Sequence, residues 1–271
     1  MVSVGVIPSR FASTRFPGKP LVKIAGRPLL EHVILGARKS NRLSEILVAT
    51  DHKEIAELAK TVGARVVMTD PNLPTGTDRV WAALKEAGLT HVDVAVNIQG
   101  DEPLIQAEPL DALVQAFEGR PQVDMATLGR AMDLSTPEGL EALEATTTAK
   151  IVLDESDQAL YFSRFAIPFS RVKPQAASAV SNALSKTTNS QEIRVPKSVL
   201  KHVGIYAYRP RFLERFCAAP PCELELFEGL EQLRALSLGA KIHVVRTHHE
   251  SWGVDTPEDV EKIEKMLNRR S

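Results

Sequence analysis

Four short runs rich in β-branched residues, Val2 to Ile7, Glu45 to Thr50, Arg65 to Met68 and Val92 to Ile98, alternate with longer segments of helical period. Strands that alternate with helix-length segments need crossover connections, and right-handed crossovers lay such strands side by side in one sheet. The intervening segments agree. Over Pro28 to Lys39, Leu29, Leu30, Val33, Ile34 and Ala37 share one face, with Pro28 suited to a first helical turn. His52 to Val62 and Asp78 to Ala87 read as two further helices. The expected fold is α/β: a doubly wound, mostly parallel sheet of Rossmann-like type with a smaller embedded lobe.

Beyond Asp124 the pattern loosens. Strand-like runs at Lys150 to Leu153, His202 to Tyr208 and Lys241 to Arg246 are separated by polar stretches and helices. Glu223 to Leu238 carries Leu224, Phe227, Leu230, Leu233, Leu236 and Leu238 at near-helical spacing, and Gly239 stands where a helix C-terminal cap belongs. Residues 175–198, rich in Ala, Ser, Asn and Thr, show no sustained apolar face and read as a surface excursion without chemistry.

Charge narrows the function. Lys and Arg total 33 against 34 Asp and Glu, a net charge of −1, so no global field draws nucleic acid or an anionic membrane. Any anion must be bound locally. Cys217 and Cys222 are too few for a disulfide framework and lack a second ligand pair for zinc, so they read as reduced thiols. The apolar run before Pro8 is too short for a signal-peptide core, which leads us to expect a cytoplasmic protein without membrane insertion.

The first strand runs into Pro8-Ser9-Arg10-Phe11-Ala12-Ser13-Thr14-Arg15-Phe16-Pro17-Gly18-Lys19-Pro20. Ligands of open α/β sheets bind outside the carboxyl ends of the strands, so Arg10, Arg15 and Lys19 converge on the crevice. Three cations beside backbone donors suit a triphosphate. The loop is neither GxxxxGK[ST] nor GxGxxG, so a P-loop kinase and a Rossmann dehydrogenase both lose their usual signature. Asp101 ends a strongly apolar strand, and Gly100 before it permits close backbone approach. Asp255 precedes a helix starting near Thr256-Pro257-Glu258. Each aspartate also has an ordinary reading, Asp101 as a turn former and Asp255 as a helix cap.

The segment IPSRFASTRFPGKPL resembles the opening signature of sugar-activating nucleotidyltransferases, specifically the 3-deoxy-manno-octulosonate (Kdo) cytidylyltransferase family. Further matches follow in order across nearly the whole chain: Ala49-Thr50-Asp51, Gly76-Thr77-Asp78-Arg79, Asn97-Ile98-Gln99-Gly100-Asp101-Glu102-Pro103, Leu160-Tyr161-Phe162-Ser163-Arg164 and Gly253-Val254-Asp255-Thr256-Pro257-Glu258-Asp259. The resemblance implies a single nucleotidyltransferase domain over 1–271. In it, 1–123 binds CTP, 124–250 serves the sugar acid and dimerisation, and 251–271 brings a metal-binding turn and a helix.

The resemblance further implies cytidylyl transfer from CTP to a Kdo-type sugar acid, for lipopolysaccharide biosynthesis, by a homodimer. It makes Lys19, Arg10 and Asp101 catalytic, and gives Mg2+ to Asp101 and Asp255. CTP falls to Arg10, Ser13, Arg15, Lys19, Gly76, Thr77 and Arg79. The acceptor falls to Gln99, Arg164, His202, Tyr206, Glu225, Glu228 and Gln232. Thr77 keeps a second reading as the cap of its helix, and His202, which alternation puts on the same strand face as Tyr206, keeps one as a satisfied structural histidine. The chain departs from the family pattern at Cys222-Glu223, at Glu144 to Thr148 before Lys150, and over 175–198, all in the acceptor half. Other acceptors consistent with the donor loop are an amino-substituted octulosonate and a nonulosonate such as a sialic or legionaminic acid. A nucleotide sensor without catalysis is the reading from another class.

Overall fold

The computed structural model describes residues 1–12, 16–169 and 197–268. Strand β1 (Ser3–Ser9) is followed by a small hairpin, β2 (Lys23–Ile24) and β3 (Arg27–Pro28), then α1 (Leu29–Ala37), β4 (Glu45–Thr50), α2 (Lys53–Thr61), β5 (Arg65–Met68), α3 (Gly76–Glu86), β6 (Val94–Asn97) and α4 (Ala107–Gln115). The second half contributes β7 (Met125–Ala131), α5 (Pro137–Glu144), β8 (Lys150–Leu153), β9 (Ala159–Ser163), β10 (Val199–Tyr208), α6 (Pro210–Ala218), α7 (Glu223–Glu228), α8 (Gln232–Ser237), β11 (Ile242–Arg246) and α9 (Pro257–Asn268).

Among the described residues the main sheet has nine strands, with the path β11-β7-β10-β6-β1-β4-β5 and β8–β9 attached beside β10. Strands β5, β4, β1 and β6 are mutually parallel, as the alternation of strand and helix requires. Strand β10 is inserted antiparallel between β6 and β7, and β11 runs parallel to β7. The second half therefore extends the same sheet.

Both faces are buried, and the period of two sorts side chains between them. Val4, Val6, Leu47, Ala49 and Ala95 pack with Val80, Ala83 and Leu84 of α3 and with Phe212 and Phe216 of α6. Ile7, Ile46, Val48, Val94 and Val96 pack on the opposite side against α1, α2, α4 and α9.

Two readings of the sequence need correction. The leucine-bearing stretch from 223 to 238 is two short helices, because Gly229 adopts φ 63° and ends α7 in a left-handed turn. Leu224 and Phe227 consequently face outward, Phe227 with 90% exposure, while Leu230 and Leu233 are core. Gly239, at φ 76°, does follow α8 where a cap is expected. Helix α3 begins at Gly76 rather than Asp78, because the Thr75 hydroxyl accepts the Asp78 N–H at 3.1 Å. Residues 175–196 and the tail from 269 lie outside the described residues.

Candidate active site

The carboxyl ends of β1 and β6 open into a cleft of about 260 Å³ lined by Arg10, Lys19, Gly76, Arg79, Asp101 and Asp255, among others. The loop after β1 is closed by a hydrogen bond from the Gly18 N–H to the Phe11 carbonyl, with Gly18 at φ 70°. Phe11 stacks on His52 with ring centroids 4.1 Å apart. These contacts fix the entry to a 3-10 turn at Lys19–Leu21, and hence the lysine. Ser13 and Arg15 lie outside the described residues. Arg10 is exposed at the rim.

Gly100 explains how Asp101 reaches the cleft. A Cβ at this position would stand 2.8 Å from the Pro8 carbonyl oxygen, so only glycine allows the loop after β6 to touch the end of β1. The Val254 N–H donates to the Asp101 carbonyl at 2.9 Å, which carries the turn before α9 to the same place. Ser251 donates to Glu102 and His249 lies 3.7 Å from it, a second tie between these segments. Asp259 accepts the N–H groups of both Asp255 and Thr256 at 3.1 Å and so takes the capping role at α9.

The outcome is convergence on one nitrogen. Lys19 Nζ lies 2.8 Å from Asp101 Oδ2 and 3.3 Å from Asp255 Oδ1. Two hard carboxylate oxygens thus flank one cationic centre, a donor set suited to Mg2+ when phosphate oxygens and water complete the shell. Among the described residues no cluster of three or more His, Cys, Asp or Glu is placed to hold a metal ion, so side chains of these types do not complete a metal shell here by themselves.

Along the cleft wall, Arg79 is buried, pairs with Asp51 at 3.3 Å and donates to the Thr69 hydroxyl. Burial holds its pKa below the ordinary guanidinium value, with Asp51 opposing. Gly76 lines the cleft at the start of α3. Thr77 does not: its buried hydroxyl turns to the far side of the helix and donates to Glu231 at 2.7 Å.

A second cleft of about 300 Å³ adjoins the first and contains Arg164, His202 and Tyr206. Gln99 marks the boundary, lining the first cleft and donating to the Gly204 carbonyl in the wall of the second at 3.0 Å. Strand β10 departs from regular pairing here: Val203 stands opposite Leu128 and Tyr206 opposite Thr127, so Gly204 and Ile205 form a bulge. The Thr127 hydroxyl holds it, 2.9 Å from the Ile205 carbonyl and 3.0 Å from His202 Nε2. Enclosed by Phe162 and Tyr206, the imidazole has its pKa lowered by burial to about 3 and is neutral.

Arg164 lies in this wall with its guanidinium donating to main-chain oxygens, among them Glu228 at 2.8 Å and Thr146 at 3.1 Å. Beneath it, Lys150 is fully buried and donates to the carbonyls of Ala145, Thr148 and Arg164, pinning the loop that replaces the family's usual approach.

Three residues expected at the acceptor make contacts within the protein. Glu225 is buried and paired bidentately with Arg234 at 2.6 and 2.8 Å. Glu228 accepts from the Ser163 hydroxyl and the Arg164 N–H at 2.7 and 2.8 Å. Gln232 is buried behind Tyr206 and accepts its hydroxyl at 3.3 Å. None of the three lines the second cleft. Arg130, Lys201, His249 and Glu250 do line it, and the sequence offered no motif for them.

A model of the cytidylyltransferase family matches residues 4–242. A 3-deoxy-manno-octulosonate cytidylyltransferase of Bdellovibrio bacteriovorus is 49% identical over 268 residues, covering 99% of this chain and 98% of its own. An 8-amino-3,8-dideoxy-manno-octulosonate cytidylyltransferase of Shewanella baltica is 39% identical over 97% of both chains. Among solved structures, a CMP:2-keto-3-deoxy-manno-octonic acid synthetase complexed with CTP superposes with a TM-score of 0.83 at 33% identity, over the whole of both chains.

Proposed function

This chain belongs to the 3-deoxy-manno-octulosonate cytidylyltransferase family, and from that premise we propose how its two clefts share the reaction. The activity is transfer of the cytidylyl group of CTP to the 2-hydroxyl of a 3-deoxy-octulosonate, releasing pyrophosphate. CTP takes the first cleft and the sugar acid the second. The observation that carries this division is the convergence of Asp101 and Asp255 on Lys19, beside the seam between the clefts.

Asp101 and Asp255 would hold Mg2+, which supplies Lewis-acid stabilisation of phosphate oxygens and favours ionisation of the attacking hydroxyl. The chain's own part is positioning and charge. Lys19 and Arg10 offset the negative charge of the triphosphate and of departing pyrophosphate. Gly76 lets the nucleotide approach the start of α3, whose positive end favours anions. Arg79 acts from behind, its pairing with Asp51 keeping the wall rigid. Arg164 meets the acceptor carboxylate, and neutral His202 with Tyr206 offers hydrogen bonds to hydroxyls. Gln99, reaching from the donor cleft to Gly204, sets the two substrates in line.

A homodimer fits the exposed apolar side chains of α7 and the β9 region, with Leu226, Phe227, Leu160 and Phe165 exposed by 71%, 90%, 59% and 74%. Among the described residues no helix is long and apolar enough to cross a membrane.

Pyrophosphate release measured with purified protein, Mg2+, each ribonucleoside triphosphate and a panel of sugar acids tests the reading. Turnover with CTP and Kdo is the expected result, whereas turnover of a nonulosonate with none of Kdo would replace the acceptor.

A further inference from the structure

The outer end of the second cleft carries a charge arrangement that the reaction does not use. Two cationic side chains line it, Arg130 and Lys201, against a single carboxylate among the described residues, Glu250. That carboxylate is engaged, with Arg130 Nη1 2.7 Å from Glu250 Oε1. Arg130 stands opposite Lys201 in the β7–β10 pairing. Lys201 precedes Gly204 by three residues, so roughly 10 Å of strand separates this pair from the seam where the acceptor hydroxyl meets the nucleotide. Such a span is comparable to an eight-carbon sugar acid and puts its last carbon beside Arg130 and Glu250.

We propose that the Arg130–Glu250 ion pair determines acceptor specificity at that last carbon, admitting a terminal hydroxyl and rejecting a terminal ammonium. The inference rests on the acceptor occupying the second cleft, as argued above. An ammonium arriving there meets a surplus of positive charge, and the one group able to balance it is already neutralised by Arg130. A hydroxyl needs no counter-charge and bonds to either partner. Removing the arginine charge while keeping the carboxylate converts the same spot into an ammonium site.

The test compares kcat/KM for Kdo and for 8-amino-3,8-dideoxy-octulosonate in the full-length protein and in Arg130→Gln, Glu250→Gln and the double variant. Taking the ratio of two acceptors in one preparation cancels any loss of folded protein. Wild type is expected to favour the hydroxyl acceptor, and Arg130→Gln to move the ratio toward the amino acceptor by about tenfold or more, through KM rather than kcat. The double variant should lose that gain, since it lacks the carboxylate. A ratio in Arg130→Gln within about twofold of wild type, or a gain that survives loss of Glu250, overturns the proposal. Absence of turnover with every sugar acid in wild type would instead strike the acceptor assignment itself, a separate and recognisable result.

Discussion

The imidazole of His202 and the ring of Tyr206 lie 5.5 Å apart, although four residues of a straight strand would separate them by about 13 Å. The bulge at Gly204–Ile205 removes the difference, and by absorbing two residues rather than one it leaves both rings on the same face. A regular strand would have kept both rings on that face but too far apart to meet.

Thr127 is the peg of that bulge. Thr127→Val keeps the shape and removes hydroxyl contacts to His202 and to the Ile205 carbonyl. We expect a loss of about 1–2 kcal/mol in stability and a raised KM for the acceptor, with the KM for CTP unchanged. Steady-state kinetics with each substrate varied in turn, beside denaturant unfolding, check this. An equal rise in both KM values would show the bulge does not belong to the acceptor side alone.

Asp101→Ala and Asp255→Ala are each expected to lower turnover by about a thousandfold while the fold persists. Pyrophosphate release at saturating Mg2+ and CTP, with circular dichroism as control, reads this out. Near-normal rates in both variants would remove the metal from these residues.

Glu225→Gln separates a structural acid from a ligand-binding one. Its carboxylate and Arg234 are both buried, so breaking the pair strands a guanidinium and costs about 3 kcal/mol of stability. The acceptor KM should stay within about twofold of wild type. A raised KM without lost stability would return Glu225 to the substrate.

His202 gives a pH signature. Its folded pKa, lowered by burial to about 3, lies below the ordinary imidazole value, so the unfolded chain takes up the proton first. The stabilising contribution is complete above about pH 6.5 and is lost as pH falls toward 3. Thermal midpoints of wild type and His202→Gln measured down from neutrality should converge as the medium becomes acidic. A constant gap between them would show that His202 does not titrate on unfolding.

The parallel half of the sheet was legible because β1, β4 and β6 each alternate two sets of apolar residues for two covered faces, a pattern local to the sequence. Strands β7 and β9 were not, since Met125–Ala131 contains Gly129 and a polar arginine and becomes a strand through its partners β10 and β11. The Thr75-x-x-Asp78 spacing carried a capping signal that would have started α3 correctly. Gly204 inside a strand pattern was a signal of a bulge. The donor aspartates stood in contiguous motifs, whereas Arg130 and Glu250 meet only through the register of β7 and the turn after β11. The surroundings of the acidic residues of α7 were hidden for a related reason. A glutamate facing a cleft and one facing a buried arginine look alike until Gly229 turns the chain.

The Gln99 to Gly204 hydrogen bond, one amide reaching across the seam, joins two territories that are built in different ways. The first cleft is built at the ends of parallel strands that cannot shift without unseating each other, as the contact between Gly100 and Pro8 requires. The second cleft sits on an antiparallel insert whose walls are pinned by side chains such as Lys150 and Arg164. Substitutions in the insert can therefore reshape the second cleft while the first stays as it is, because the approach of Gly100 to Pro8 leaves no room there for a side chain.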